Sequence, residues 1–245
     1  MSSAALAGLG FCIWGIYLFD RLFDVRSHSI GSEAPIRHQF AEEHRRLFVF
    51  LLGFAFVGVL VCFSFLPTSL LVGAAVLAAA TLIYYGAFRF FPRGSPAPRA
   101  FPGKESTIAA TFVAGIFLCL WPVKSNSFAF PVVLSLFLLF LGNCLKIAYA
   151  ERDWDQRHDG ASYYSHSSRR VAAATIVLPL LALALSFLVF SGDAWVGLAL
   201  ALSAILTIAI NCSHRIPTQY VQALADLALL LPPALLLGWQ HLLSR

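Results

Sequence analysis

A chain can cross some 30 Å of hydrocarbon only as a helix of roughly 20 apolar residues or as a strand of a closed barrel, because backbone N–H and C=O groups find no water there. Apolar runs of that helical length recur along this whole sequence, near residues 4–20, 47–66, 69–90, 108–123, 128–149, 171–191, 194–211 and 219–241. Barrel strands would alternate apolar and polar residues over about ten positions, and these runs do not. The sequence therefore predicts an all-α, polytopic membrane helix bundle of about eight transmembrane helices, forming a single transmembrane domain over 1–245. Composition agrees, since 59% of residues are hydrophobic and 12% charged, whereas a soluble domain is roughly a quarter charged.

The first run has no basic residue before it and no small-residue cleavage pattern after it, so it reads as a retained helix and not as a signal peptide. Cys12, Cys62, Cys119, Cys144 and Cys212 all fall inside or at the edge of apolar runs without CxxC spacing, and read as small buried hydrophobes.

Charge is distributed by side. The polar segments after the first, third, fifth and seventh runs, with the helix ends that border them, hold Arg21, Arg26, Arg37, Arg45, Arg46, Arg89, Arg93, Arg99, Lys104, Lys146, Arg152, Arg157, Arg169, Arg170 and Arg215. The opposite side keeps Lys124 and Arg245. The positive-inside rule then makes the charged loops cytoplasmic, places the chain in the cytoplasmic (inner) membrane and puts both termini outside. A formal charge of +5 is thus a topology signal, and a nucleic-acid partner is not expected because no soluble basic face exists to bind one.

Two of the charged segments are built alike. The first run leads into Trp14-Gly-Ile-Tyr17-Leu-Phe-Asp20-Arg21-Leu-Phe-Asp24, where four-residue spacing places Asp20 and Asp24 on one helical face. The fifth leads into Asn143-Cys-Leu-Lys146-Ile-Ala-Tyr-Ala-Glu151-Arg152-Asp153-Trp-Asp155, where Glu151 and Asp155 repeat that spacing. Adjacent carboxylates repel unless they share a cation, and oxygen ligands with retained water suit Mg2+. The plainer alternative is that charges at helix ends are solvated and snorkel.

In these residues the sequence resembles the UbiA superfamily of intramembrane prenyltransferases, which carries Asn-Asp-x-x-Asp-x-x-x-Asp on one cytoplasmic helix end and a second aspartate-rich motif four helices later. Asp20, Arg21 and Asp24 match the later part of the first motif, and Glu151 and Asp155 the end of the second. The leading Asn-Asp positions hold Ile16 and Tyr17, and the leading aspartate of the second motif is replaced by Cys144, beside Asn143. Lys104 stands in a polar loop before the fourth run, where the family places a basic residue that grips diphosphate.

The resemblance implies a prenyl diphosphate as donor and an aromatic or lipid acceptor, with Mg2+ on Asp20, Asp24, Glu151 and Asp155. It also implies that Arg21, Lys104 and Arg152 neutralise the leaving diphosphate. The phenylalanine-rich helices are then expected to line an apolar channel for the tail, although 22 phenylalanines also serve ordinary packing and lipid contact. No catalytic residue is assigned. The substituted leading positions open a second reading, a non-catalytic UbiA-like subunit that binds a lipid, quinone or pigment within a larger membrane complex.

Four other features have plainer explanations beside the functional one. The stretch 37–46 mixes charges at helical spacing, as a solvated amphipathic segment or a helix lying on the membrane surface. His28, His38 and His44 lack zinc-site spacing. Asp226, roughly two turns into the last run with Gln222 near it, reads either as a pocket residue or as one end of a helix–helix hydrogen bond. Asn211, His214 and Arg215 close the seventh run, by capping and snorkelling or within reach of a diphosphate.

Overall fold

The computed structural model describes residues 3–27, 36–90, 104–120, 129–151, 168–213 and 216–243. Among them the regular structure is helical throughout: α1 (Ser3–Ser27), α2 (Ile36–Glu43), α3 (Arg45–Phe63), α4 (Thr68–Phe90), α5 (Lys104–Leu120), α6 (Ala129–Ala150), α7 (Ser168–Phe190), α8 (Ala194–Cys212) and α9 (Thr218–Leu243). Each predicted run corresponds to one of these helices, and α2 adds a short one from the stretch 37–46.

Among the described residues, five stretches are long and apolar enough to cross a membrane: Ser3–Phe23, Arg45–Phe63, Phe130–Ala150, Arg169–Phe190 and Ala194–Cys212. Shorter apolar stretches lie in α4 (Thr68–Tyr84), α5 (Glu105–Cys119) and α9 (Tyr220–Leu236). Two boundaries differ from expectation. α1 continues to Ser27, because Leu18 and Val25 extend its buried stripe through the acidic motif. α5 starts at Lys104, so that residue opens a helix instead of standing in a loop.

The chain divides into two compact units, Met1–Pro92 with Ala114–Lys124, and Arg93–Val113 with Ser125–Arg245. In the first, α1 packs along α3. The buried residues of α3 are Phe48, Ala55 and Cys62, one every seven positions, so only a single narrow stripe is fully buried. The rest of its surface exposes Phe50, Phe54, Phe56, Val57 and Val61, a sheath that only a hydrocarbon solvent makes comfortable. Phe11 and Phe54 meet edge-to-face at 5.9 Å, and at Gly58 an added Cβ would stand 2.8 Å from the Phe11 ring. The residue there must be glycine for α1 and α3 to approach this closely. α2 buries His38 and Ala41 and exposes Glu42 and Glu43, so the mixed-charge stretch forms an amphipathic helix that contacts α1 and α3.

In the second unit, α6 packs on α7, α7 on α8, α8 on α9, and α9 returns to α6, so consecutive helices close a ring of four. The buried positions of α7 are Val171, Thr175, Pro179, Ala182, Ser186 and Val189, spaced in steps of three and four. Those of α9 are Val221, Ala225, Ala228 and Pro232, with the same steps. This is the seam of antiparallel helices that interlock along heptads, and its small residues bring backbones close, as packing without a hydrophobic drive requires. At Gly142 of α6 an added Cβ would meet the Pro179 ring of α7 at 3.3 Å. α7 and α8 are joined by a turn, Ser191–Asp193, whose Asp193 carboxylate accepts from the backbone N–H groups of Trp195 and Val196 at 3.1 Å and caps α8.

Candidate functional site

Asp20 and Arg21 lie near the polar end of α1. Their side chains are 3.3 Å apart, and the Arg21 guanidinium lies 5.2 Å over the Tyr17 ring. Arg21 is only 6% exposed. It lies between the buried Leu18 and Val25 on the face of α1 that packs with Ala41 and Phe48, so the charge is sheltered by the same contacts that extend α1. At the start of α3, His44 stacks on Phe40 at 4.2 Å, with Nδ1 3.0 Å from the Phe40 carbonyl oxygen. His38 is buried on α2, and His28 lies outside the described residues.

Of the residues predicted to hold metal or diphosphate, Asp20 and Arg21 are therefore described and paired. Glu151 forms the turn that ends α6; its N–H donates to the Ile147 carbonyl at 3.0 Å, and its side chain is half-buried. The side chains of Asp24 and Lys104, and the whole of Arg152 and Asp155, lie outside the described residues. Carboxylate oxygens are the hard donors that Mg2+ prefers. Among the described residues, however, no three His, Cys, Asp or Glu side chains stand together to hold an ion.

The second unit holds a polar layer within the helices' own packing. Asn143 of α6 donates from Nδ2 to Oδ1 of Asp226 on α9 at 2.9 Å. Of the two readings of Asp226, this is the helix–helix hydrogen bond. One turn further along α6, Lys146 donates from Nζ to the Asn211 carbonyl at 3.3 Å. That carbonyl is one of the last four of α8, which have no partner within the helix, and a cation there also complements the helix dipole.

Asn211 donates from Nδ2 to the carbonyl of Thr175 on α7. The reason is written four residues ahead, where the helix would supply an N–H to that carbonyl and Pro179 has none. Asn211 thus replaces the missing donor, the kind of repair that lets a proline persist inside an apolar helix. It is neither a simple cap nor a snorkelling end.

Sequence reasoning offered the helix–helix bond for Asp226 but not its partner, and it missed the Asn211–Thr175 contact, because the members are far apart along the chain and Asn211, at the end of its run, reads as capping or snorkelling. The signal available was Pro179 inside an apolar run, which obliges some neighbour to donate to residue 175. Comparison with protein-family models, with curated proteins and with solved structures finds no match for this chain.

Proposed function

We propose that this chain is a UbiA-like intramembrane prenyltransferase that moves a prenyl group from a prenyl diphosphate to an aromatic or lipid acceptor with Mg2+. In this reading eight helices cross the cytoplasmic membrane, α2 lies at its surface, and the positively charged helix ends face the cytoplasm. Arg21, Lys104 and Arg152 receive the diphosphate; Asp20, Asp24, Glu151 and Asp155 receive Mg2+, which supplies charge neutralisation as the diphosphate leaves. The observation that supports it most is the pair of half-buried Asp20 and buried Arg21 at the polar end of an apolar helix, because an acid and an arginine sheltered by protein are costly unless they are used.

The same pair favours a second reading. A carboxylate held 3.3 Å from an arginine already has its counter-charge, which suits a UbiA-like subunit that binds an isoprenoid or other lipid without transferring it. Incubating purified protein in detergent with a labelled prenyl diphosphate, with and without Mg2+, separates the two. Pyrophosphate release that needs Mg2+ and disappears in Asp20→Ala and Glu151→Ala supports the transferase. Saturable retention of label without release supports the binding subunit, and absence of both overturns the reading.

A further inference from the structure

The polar layer of α6–α9 contains two acceptors that its own hydrogen bonds do not use. Asn143 is 5% exposed and Asn211 7% exposed, and no hydrogen bond among the described residues reaches the Oδ1 of either. Neither amide can be turned over to cure this. The Asn143 NH2 faces a carboxylate and the Asn211 NH2 faces a backbone carbonyl, both of which only accept, so each Oδ1 must point away. Leaving a buried acceptor unmatched is costly, and here it happens twice in one layer tied together by Lys146.

We propose that this layer binds the hydroxyl head of a neutral membrane amphiphile. The unmatched groups are acceptors, so the missing partner is a donor. Lys146 and Asp226 carry opposite formal charges within the layer, so a neutral hydroxyl can donate its one O–H to either oxygen without unbalancing it, whereas a metal ion or an ammonium would add unbalanced positive charge. Lys146 and Asp226 are only half-buried, which leaves a hydroxyl group a way in between the helices, with the apolar body of the ligand lying along the exposed apolar faces. The assignment does not rest on the transferase reading, since it uses none of the residues proposed to hold Mg2+ or diphosphate.

The hydroxyl could belong to a phenolic ring or to a lipid alcohol, and the test separates them. The full chain is reconstituted in nanodiscs of dioleoylphosphatidylcholine, whose headgroup has no N–H or O–H donor. It is then titrated with 4-nonylphenol, with 1,2-dioleoylglycerol and with the O-methyl ether of each, reading the thermal midpoint. One or both hydroxyl probes should raise the midpoint saturably, and the matching ethers should not; which probe acts names the source. Because Asn211→Leu alone strands the Thr175 carbonyl, the acceptor is removed in a Pro179→Ala background, which restores that carbonyl's own helical donor. Roughly tenfold weaker binding is expected there relative to Pro179→Ala. A diazirine-bearing phenol or glycerol, whichever binds, should label wild-type protein on α6, α8 or α9. Ethers as effective as hydroxyls, no response to any probe, or label confined to other helices would each overturn the assignment and leave internal water as the partner of these oxygens.

Discussion

Two residues, Pro179 and Asn211, give the sharpest statement of cause in this molecule. The proline removes the donor for the Thr175 carbonyl and the asparagine supplies one from another helix. Asn211→Leu should therefore cost about 1–3 kcal/mol, the penalty of an unsatisfied buried carbonyl plus the lost bond. In a Pro179→Ala background most of that cost should vanish, because residue 179 again donates within α7. A double-mutant cycle of unfolding free energies in mixed micelles measures the coupling; additive costs would show that Asn211 acts elsewhere.

Arg21 invites a parallel test. Arg21→Ala removes the ion pair to Asp20 and the contact over Tyr17, and should destabilise by about 1–3 kcal/mol. Arg21→Lys should recover only part of it, since an ammonium lacks the planar group that spreads over the ring. These roles were only partly legible in the sequence. Asp20, Arg21 and Asp24 announced themselves by spacing within one helix turn, but Asn211 could be understood only once α7 and α8 were known to be neighbours.

At the scale of elements, legibility was high wherever solvent decides the pattern. Each of the eight apolar runs became a helix, because a length of hydrocarbon leaves the backbone one way to satisfy itself. It was lower where packing decides. α1 runs past its apolar stretch because Val25 finds α2 and α3, and the side that α2 buries was hidden by its mixed charges. The α7–α8 hairpin shows both forces. A Cβ at Gly197 would stand 2.5 Å from the Phe190 Cα, a backbone atom that cannot rotate aside. Gly197→Ala should cost about 1–3 kcal/mol through displaced helices, even though alanine favours helix more than glycine does. Asp193→Ala should cost about 1 kcal/mol by uncapping α8, while Asp193→Asn, which keeps a side-chain oxygen, should cost less than half of that. Both are read as shifts in thermal midpoint in detergent, and a Gly197→Ala protein as stable as wild type would show that the hairpin has room to spare.

For the whole molecule, α4, α5 and α9 have apolar stretches shorter than the other five, so their crossing is predicted by alternation of charge and not by length. Alternation supplies a test that length does not. If α4 crosses, the α3–α4 turn at Ser64 and the start of α5 at Lys104 lie on opposite sides of the membrane. If it does not, they share one side. The charge pattern predicts the first outcome, because Ser64 to Pro67 carries no basic residue while Arg89, Arg93, Arg99 and Lys104 follow one another in the sequence after the apolar part of α4. With the five native cysteines replaced by alanine, single cysteines at Ser64, Ser191, His44, Lys104 and Arg169 can be probed in oriented vesicles with a membrane-impermeant maleimide. Ser64→Cys and Ser191→Cys should label from one face, and His44→Cys, Lys104→Cys and Arg169→Cys only from the other. Labelling of positions 64 and 104 from the same face would reduce the number of crossings and remove the charged ends of α4 and α5 from the side where a diphosphate is proposed to bind.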